Sequence, residues 1–429
     1  MKLRKALRPS AVAALAVSAV LLSGCSSTPA TASSGTPGAI SGQLQIAGPT
    51  SSKQPVQAEV DAFEKKYPDV KVTFTTADTS QYQQTTRTQL SSGTAPDVLY
   101  VWAGSGGVMS VDALAPKGVL ADLSKEPWVA TIPAAQSGLT QVEKKTYILP
   151  VIYGAIGALY NQGAFDKAGV ALPTTWPELL SACDAFNAAG IVPMALGLQT
   201  PANGQFIDYS LVATLVYGAH PDFSTQMNDG KTTFPKSAWA DAMKQYLELN
   251  NHKCFQPNPN GTASTDALTM VSTGAAAMSV QVNSSLPQIQ AAAPSEKFGL
   301  LALPATDNAD DTRLPVALTG TFGISAKAKN PAAAKAFLQF MAENESIYAS
   351  AVSTLPVDPS QVPTETTPAL DTVKKFVDAK KTAPYPDQTW PNAEVQSAHL
   401  QAVQDLFSGA ATVPQALDSM QAAFNKGKG

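Results

Sequence analysis

Cysteine and histidine are scarce, with three of each in 429 residues. His220, His252 and His399 lie far apart with no HxxxH or HExxH spacing, so neither a metal site nor a histidine base is expected. Charged residues make up only 14% of the chain and acids outnumber bases, 33 to 29, which argues against nucleic acid as a partner. No Walker A or GxGxxG phosphate cradle occurs, so the chain would not itself carry an ATPase and implies no cofactor. The acidic run Asp307–Asp311 lacks the glycine and the closing glutamate of an EF-hand and reads as a solvated turn. Beyond residue 24 no apolar run is long enough to cross a bilayer, and no internal repeat is visible.

What is present begins with an export segment. Lys2, Arg4, Lys5 and Arg8 form a cationic start, and residues 11–22 form an apolar stretch of about a dozen residues. It ends in Leu22-Ser23-Gly24-Cys25, the pattern of a bacterial lipobox with Cys25 as the lipidated residue; the plainer alternative is a secretory peptide with a chance cysteine. Removing residues 1–24 takes away four basic and no acidic side chains and leaves a formal charge of −8. An acidic protein of this kind is poorly matched to a polyanionic ligand. Residues 25–41 are rich in Ser, Thr, Pro and Gly and read as a flexible tether. The membrane is then met through the lipid anchor alone, on the extracytoplasmic face.

The rest, with 44% hydrophobic residues overall, is long enough for two full cores. Short strands at residues 43–48, 70–75 and 95–102 alternate with helical patterns in which Val56, Val60 and Phe63, and later residues 81–90, keep helical spacing. Strand–helix alternation at this spacing means βαβ units and a parallel sheet, whose ligands sit beyond the carboxyl ends of the strands. Thr50 and Ser51, and the stretch Trp102 to Gly107 with Ser105, occupy those ends. Ala103-Gly104-Ser105-Gly106-Gly107 mimics a nucleophile elbow, but its glycines read better as room for backbone to approach a ligand. A second α/β block follows Gly154, with a buried strand at residues 191–198 and an apolar helix face of Trp239, Met243, Tyr246 and Leu247.

The stretch KKTYILPVIYGAIGALYNQGAFDKAGVALPTTWPELLSACDAF, residues 144–186, is the most distinctive. Thr175 and Glu178 form a capping box with Pro177 inside the first turn, and Leu179, Leu180, Cys183 and Phe186 share one face. This run resembles the "Y-x-LP … LYYN … F..AGV..P.TW.EL" pattern of the family 1 extracellular solute-binding proteins, the sugar-binding subunits of ABC importers. GAAAM at residues 274–278 and GTFGISAKAKNPAAAKAFLQF at residues 320–340 are similar to two further elements of that family.

The resemblance implies an α/β, two-lobed periplasmic-binding-protein-like fold of type II, each lobe a sheet flanked by helices, joined by a multi-stranded hinge. The expected first lobe is residues 42–153 and 298–328, and the second is 154–297 and 329–429. It also implies a sugar or oligosaccharide ligand and delivery to permease subunits driven by a separate ATPase; the receptor is expected to act as a monomer. A carbohydrate-active lipoprotein enzyme, a glycoside hydrolase or esterase, is the competing class. It would need two carboxylates about 5–9 Å apart across the cleft, and the scattered acids offer no obvious pair.

Candidate ligand residues are polar side chains and aromatic rings, which recognise a polyol without breaking a bond. Trp102 is either a sugar platform or core, and Tyr153 either a hinge contact or core. Asn203, Gln205, Gln281 and Asn283 are ligand amides or solvated loop amides, and Thr321 joins the set. Asp387 and Trp390 lie in a late loop assigned to the second lobe, so that stacking between Trp102 and Trp390 would be completed on closure. Cys183 and Cys254, in an exported protein, are expected to form a disulfide within the second lobe, the alternative being two buried thiols.

Overall fold

The computed structural model describes residues 40–427 apart from Thr366. The export segment 1–24, Cys25 and all but the end of the tether lie outside the described residues.

The first lobe is built from β1 (Gly42–Pro49), α1 (Lys53–Lys66), β2 (Val70–Ala77), α2 (Thr79–Ser92) and β3 (Val98–Tyr100). β1 lies between β2 and β3 and is parallel to both. Val56, Val60 and Phe63 bury one face of α1, each contributing about 1.5–3 kcal/mol by leaving water. Ser52 stands at the start of α1, yet its hydroxyl donates back to the Pro49 carbonyl at 2.7 Å instead of capping the helix.

β4 (Ile148–Asn161) is the strand around which both lobes are assembled. Its 14 residues span roughly 45 Å at the usual rise, and nearly all are buried. In the second lobe it is followed by α3 (Trp176–Ala188), β5 (Val192–Met194), α4 (Gln205–Val212), α5 (Trp239–Asn251), β6 (Ala276–Val282) and β7 (Phe298–Leu301). β8 (Leu314–Ile324) then returns to the first lobe. The strand order is β2-β1-β3-β8-β4-β6-β5, with β7 on the far half of β4. Residues 148–155 of β4 pair antiparallel with β8, whereas residues 156–161 pair with β6 and β7. Two continuous strands therefore carry hydrogen bonds from one lobe into the other.

The expected lobe boundaries need correcting. Phe298 and Leu300 pair with the second-lobe half of β4, so the chain has not yet returned at residue 298. The return is made by β8, whose Leu318, Phe322 and Ile324 lie in the first core. The following helices α6 (Pro331–Glu343) and α7 (Glu345–Ala351) bury Phe337, Leu338, Met341 and Tyr348 in that same core, although residue 329 onward was expected in the second lobe. Only after Val357 does the chain leave, through α8 (Pro368–Asp378) to α9 (Ala393–Ser408) and α10 (Val413–Lys426), which close the second core. The apolar periodicity of α6 was visible in the sequence, but nothing in it says which sheet the apolar face covers.

The Thr175–Glu178 capping box forms with both of its hydrogen bonds. Cys183 of α3 and Cys254, just beyond α5, are joined in a disulfide with Cα atoms 5.2 Å apart. Both are fully buried, so the bridge ties two helices from inside the core.

Candidate functional site

The carboxyl ends of β1, β2 and β3 face the second lobe across a cleft of about 210 Å³. The first-lobe wall is Thr50 and Ser51 after β1, Asp78, Ser80 and Gln83 after β2, and Tyr100 and Trp102 at the end of β3. The second lobe supplies Asn203, Gln205 and Tyr209 around the start of α4, Gln281 of β6, and Tyr385, Asp387 and Gln388 from the loop before α9. Ile152, Ile156, Thr319 and Tyr348 from the hinge region form the floor. The arrangement follows from the parallel βαβ order, in which strand ends carry loops free of packing duty.

Trp102 is half-buried, with its ring 4.8 Å from that of Tyr100 and 6.0 Å from that of Tyr82. One face is thus braced by the first core while the residue lines the cleft. The Tyr100 hydroxyl accepts the Gly320 amide at 3.1 Å, which pins the hinge strand β8 to this wall. Burial pushes the Tyr100 phenol up to about 12.

On the opposite wall Gln396 Nε2 donates to Asp387 Oδ2 at 2.8 Å and to Gln205 Oε1 at 3.1 Å. Asp387 Oδ1, the Tyr209 and Tyr385 hydroxyls and Gln388 Oε1 have no hydrogen-bond partner. The Tyr209 hydroxyl lies near Asp387 and Gln396 without meeting hydrogen-bond geometry. Leaving such groups buried and unpaired costs about 1–3 kcal/mol each. Burial pushes the Asp387 carboxyl up to about 6, against the pull of nearby backbone amides, Tyr209 and His399.

Behind this wall His399 Nε2 and Asp208 Oδ2 pair at 2.8 Å, both fully buried. The Tyr209 ring stacks on the His399 imidazole, centroids 5.7 Å apart at 7°.

Seven of the expected ligand residues line the cleft: Thr50, Ser51, Trp102, Asn203, Gln205, Gln281 and Asp387. Five do not. Trp390 is 3% exposed, its ring set edge-on against Tyr209, Phe234 and His399 in the second core. It cannot stack on a ligand in the cleft. Asn283 is fully buried; its amide donates to the Val352 carbonyl at 3.0 Å and its oxygen accepts the Ala155 amide at 2.9 Å, holding the hinge. The Thr321 hydroxyl is spent on the Val101 carbonyl. Ser105 donates to the Trp390 carbonyl, across the seam between the lobes. Tyr153 sits at mid-strand in β4, packed against both the first core and a neighbouring cluster, and is outside the cleft lining.

The glycines after Trp102 also serve another end. A Cβ on Gly104 would fall 2.1 Å from the Gln388 carbonyl oxygen, and one on Gly106 would fall 1.9 Å from that of Asp387. They admit the backbone of the opposite lobe and not, as expected, a ligand.

Sequence reasoning missed Asp78, Gln83, Tyr209, Tyr385, Gln388 and Gln396. Asp78 follows β2 and falls under the strand-end rule; Tyr209 lies one helical turn after Gln205. Nothing local marks Gln396, which arrives from a helix 191 residues beyond its partner Gln205.

Among the described residues no group of three His, Cys, Asp or Glu side chains is placed to hold a metal, and no helix is long and apolar enough to cross a membrane.

Two α/β lobes joined by continuous strands around a polar and aromatic cleft define the periplasmic-binding-protein class of receptor. Within it, this chain belongs to the bacterial extracellular solute-binding proteins, whose family model matches residues 47–347. That family is one of extracytoplasmic solute-binding proteins and not of enzymes. A relative from Brucella suis, described as "Probable sugar-binding periplasmic protein", is 29% identical over 174 residues, 38% of this chain and 37% of that one. The chain thus matches little more than a third of that relative's length. Among solved structures, RafE in complex with raffinose superposes with a TM-score of 0.74 at 18% identity, over 91% of this chain and 100% of that one. A sugar transporter protein from Bacillus licheniformis in complex with stachyose gives 0.72 at 17% identity, over 90% and 100%.

Proposed function

We propose that the protein is a lipid-anchored receptor on the extracytoplasmic face of the cell membrane. It captures a sugar or oligosaccharide between its lobes and delivers it to the permease subunits of an ABC transporter powered by a separate ATPase. The observation that carries this reading is the cleft: an aromatic wall at Trp102 faces amides, phenols and a carboxylate, several without partners. A pyranose has apolar C–H faces and a rim of hydroxyls, which matches that pairing. The raffinose and stachyose complexes of the structural neighbours, and the sugar-binding description of the Brucella suis relative, support the same ligand class.

Thr50, Ser51, Trp102, Asn203, Gln205, Gln281 and Asp387, joined by Tyr209, Tyr385, Gln388 and Gln396, form the proposed contact set. Closure would follow because a ligand touching both walls favours the state in which they approach. A thermal-shift screen against mono-, di- and trisaccharides tests the reading: a bound sugar at a hundred times its dissociation constant adds about 2.7 kcal/mol. No shift with any sugar would sink it. The anchor has its own test. Cys25→Ser should release protein or leave an uncleaved precursor, and membrane retention unchanged after a carbonate wash would refute lipidation.

A further inference from the structure

The cleft lining contains no lysine, arginine or histidine, while each lobe contributes one carboxylate, Asp78 and Asp387. Lys53, at the rim, lines only the adjoining groove with Thr50, Ser51 and Gln288. Asp78 occupies the position before α2 where a carboxylate often caps a helix, yet its side chain makes no capping bond, and it forms no ion pair among the described residues. Asp387 is bound through Oδ2 only, and the groups that face it supply no free cation. They are Gln396 and His399 of α9, Tyr209 of α4, and the phenols of Tyr217 and Tyr385. The His399 imidazole is committed to Asp208. The side chains of Tyr209 and Tyr385, buried and with hydroxyls that meet no hydrogen-bond geometry, belong to the same wall as Asp387, a second observation beside the pair of acids.

Resting on the sugar-receptor reading, we propose that the cleft selects by charge: it binds an aminated saccharide in preference to its neutral counterpart and rejects a carboxylated one. A ligand ammonium seated at Asp387 gives the half-paired carboxylate the charge-assisted donor that the protein withholds. A uronate would instead bring a third negative charge into a lining without a cation, and like charges in a desolvated site repel strongly. The net charge of −8 beyond residue 24 acts in the same direction at longer range.

The test is titration calorimetry near pH 7 with cellobiose, the corresponding disaccharide of glucosamine, and a glucuronate-containing disaccharide, beside maltose and raffinose as neutral references. The amine should bind about tenfold tighter than cellobiose, as expected when a charged donor replaces a neutral one, and the uronate should not bind. Asp387→Asn should abolish the preference, and so should lowering the pH to about 5, where the carboxyl gains its proton. Neutral sugars binding as tightly as the amine, a bound uronate, or a preference that survives Asp387→Asn overturns the inference and leaves the receptor reading standing. If no sugar of the panel binds, both fall.

Discussion

Trp102 holds its ring between the Tyr82–Tyr100 pair and open space, so the residue contributes to the cleft more than to the core. Trp102→Ala is expected to weaken sugar binding by about 1–3 kcal/mol, the range for unburying a large apolar side chain, with the thermal melt nearly unchanged. Trp390 is the opposite case. Its ring touches Phe234, Trp239, Tyr209 and His399 inside the second core, and truncation to alanine should cost about 3–5 kcal/mol of stability. Melts and calorimetry on both variants separate the roles. A Trp102→Ala protein that loses stability but keeps wild-type affinity would show the ring to be core.

Two buried carboxylates lie where α1 packs against α7. Glu59 is fully buried with neither oxygen bonded, and Glu345 is 1% exposed with one oxygen accepting the Asp358 amide at 2.6 Å. Burial, opposed in part by nearby backbone amides and reinforced by other acids close at hand, raises Glu59 to about 9 and Glu345 to about 8. The unfolded chain releases these protons near 4.5 while the folded one keeps them, so their share of stability is full below that pH and is lost as pH rises toward 8–9. Glu59→Gln mimics the protonated acid, and the melting temperature of the variant relative to wild type should climb between pH 5 and pH 8. A gap that stays constant would mean that Glu59 does not titrate as described. On α3, the Cys183–Cys254 bridge closes a separation of 71 residues. Replacing both cysteines by serine should lower stability by about 2–4 kcal/mol in denaturant titrations, and reductant should then have no further effect. Two free thiols in denatured, unreduced protein would refute the bridge.

At the scale of the whole molecule, β4 and β8 run unbroken from one core to the other and hold the lobes as a pair. The Gly104–Gly106 loop meets the backbone of Asp387 and Gln388 across the cleft, so the wall carrying Trp102 and the wall carrying Asp387 are in register. Ligand bound between them should favour the compact arrangement. Small-angle scattering should show a smaller radius of gyration on saturation with sugar, and Gly106→Ala, which places a methyl group against the Asp387 carbonyl, should reduce that compaction. Binding without any change in scattering would argue for a rigid cleft.

Local sequence determined the parts whose physics is local. Helix α1 follows from the spacing of Val56, Val60 and Phe63, and the start of α3 from a Thr175–Glu178 pair three residues apart. The parallel βαβ order put Thr50, Ser51 and Trp102 at strand ends, and strand ends are where a ligand cleft forms. Only the tertiary structure decided which aromatic rings face solvent. Trp390, in a Pro-rich loop, gave no local sign of the Tyr209–Trp239–His399 cluster that encloses it, since those partners come from α4, α5 and α9. The same holds for α6 and α7, whose apolar faces fit either sheet by periodicity and are assigned to the first lobe by β8 entering it. Gln396 meets Asp387 and Gln205 for the same reason: burial and pairing are set by contacts far apart along the chain, which a local pattern cannot encode.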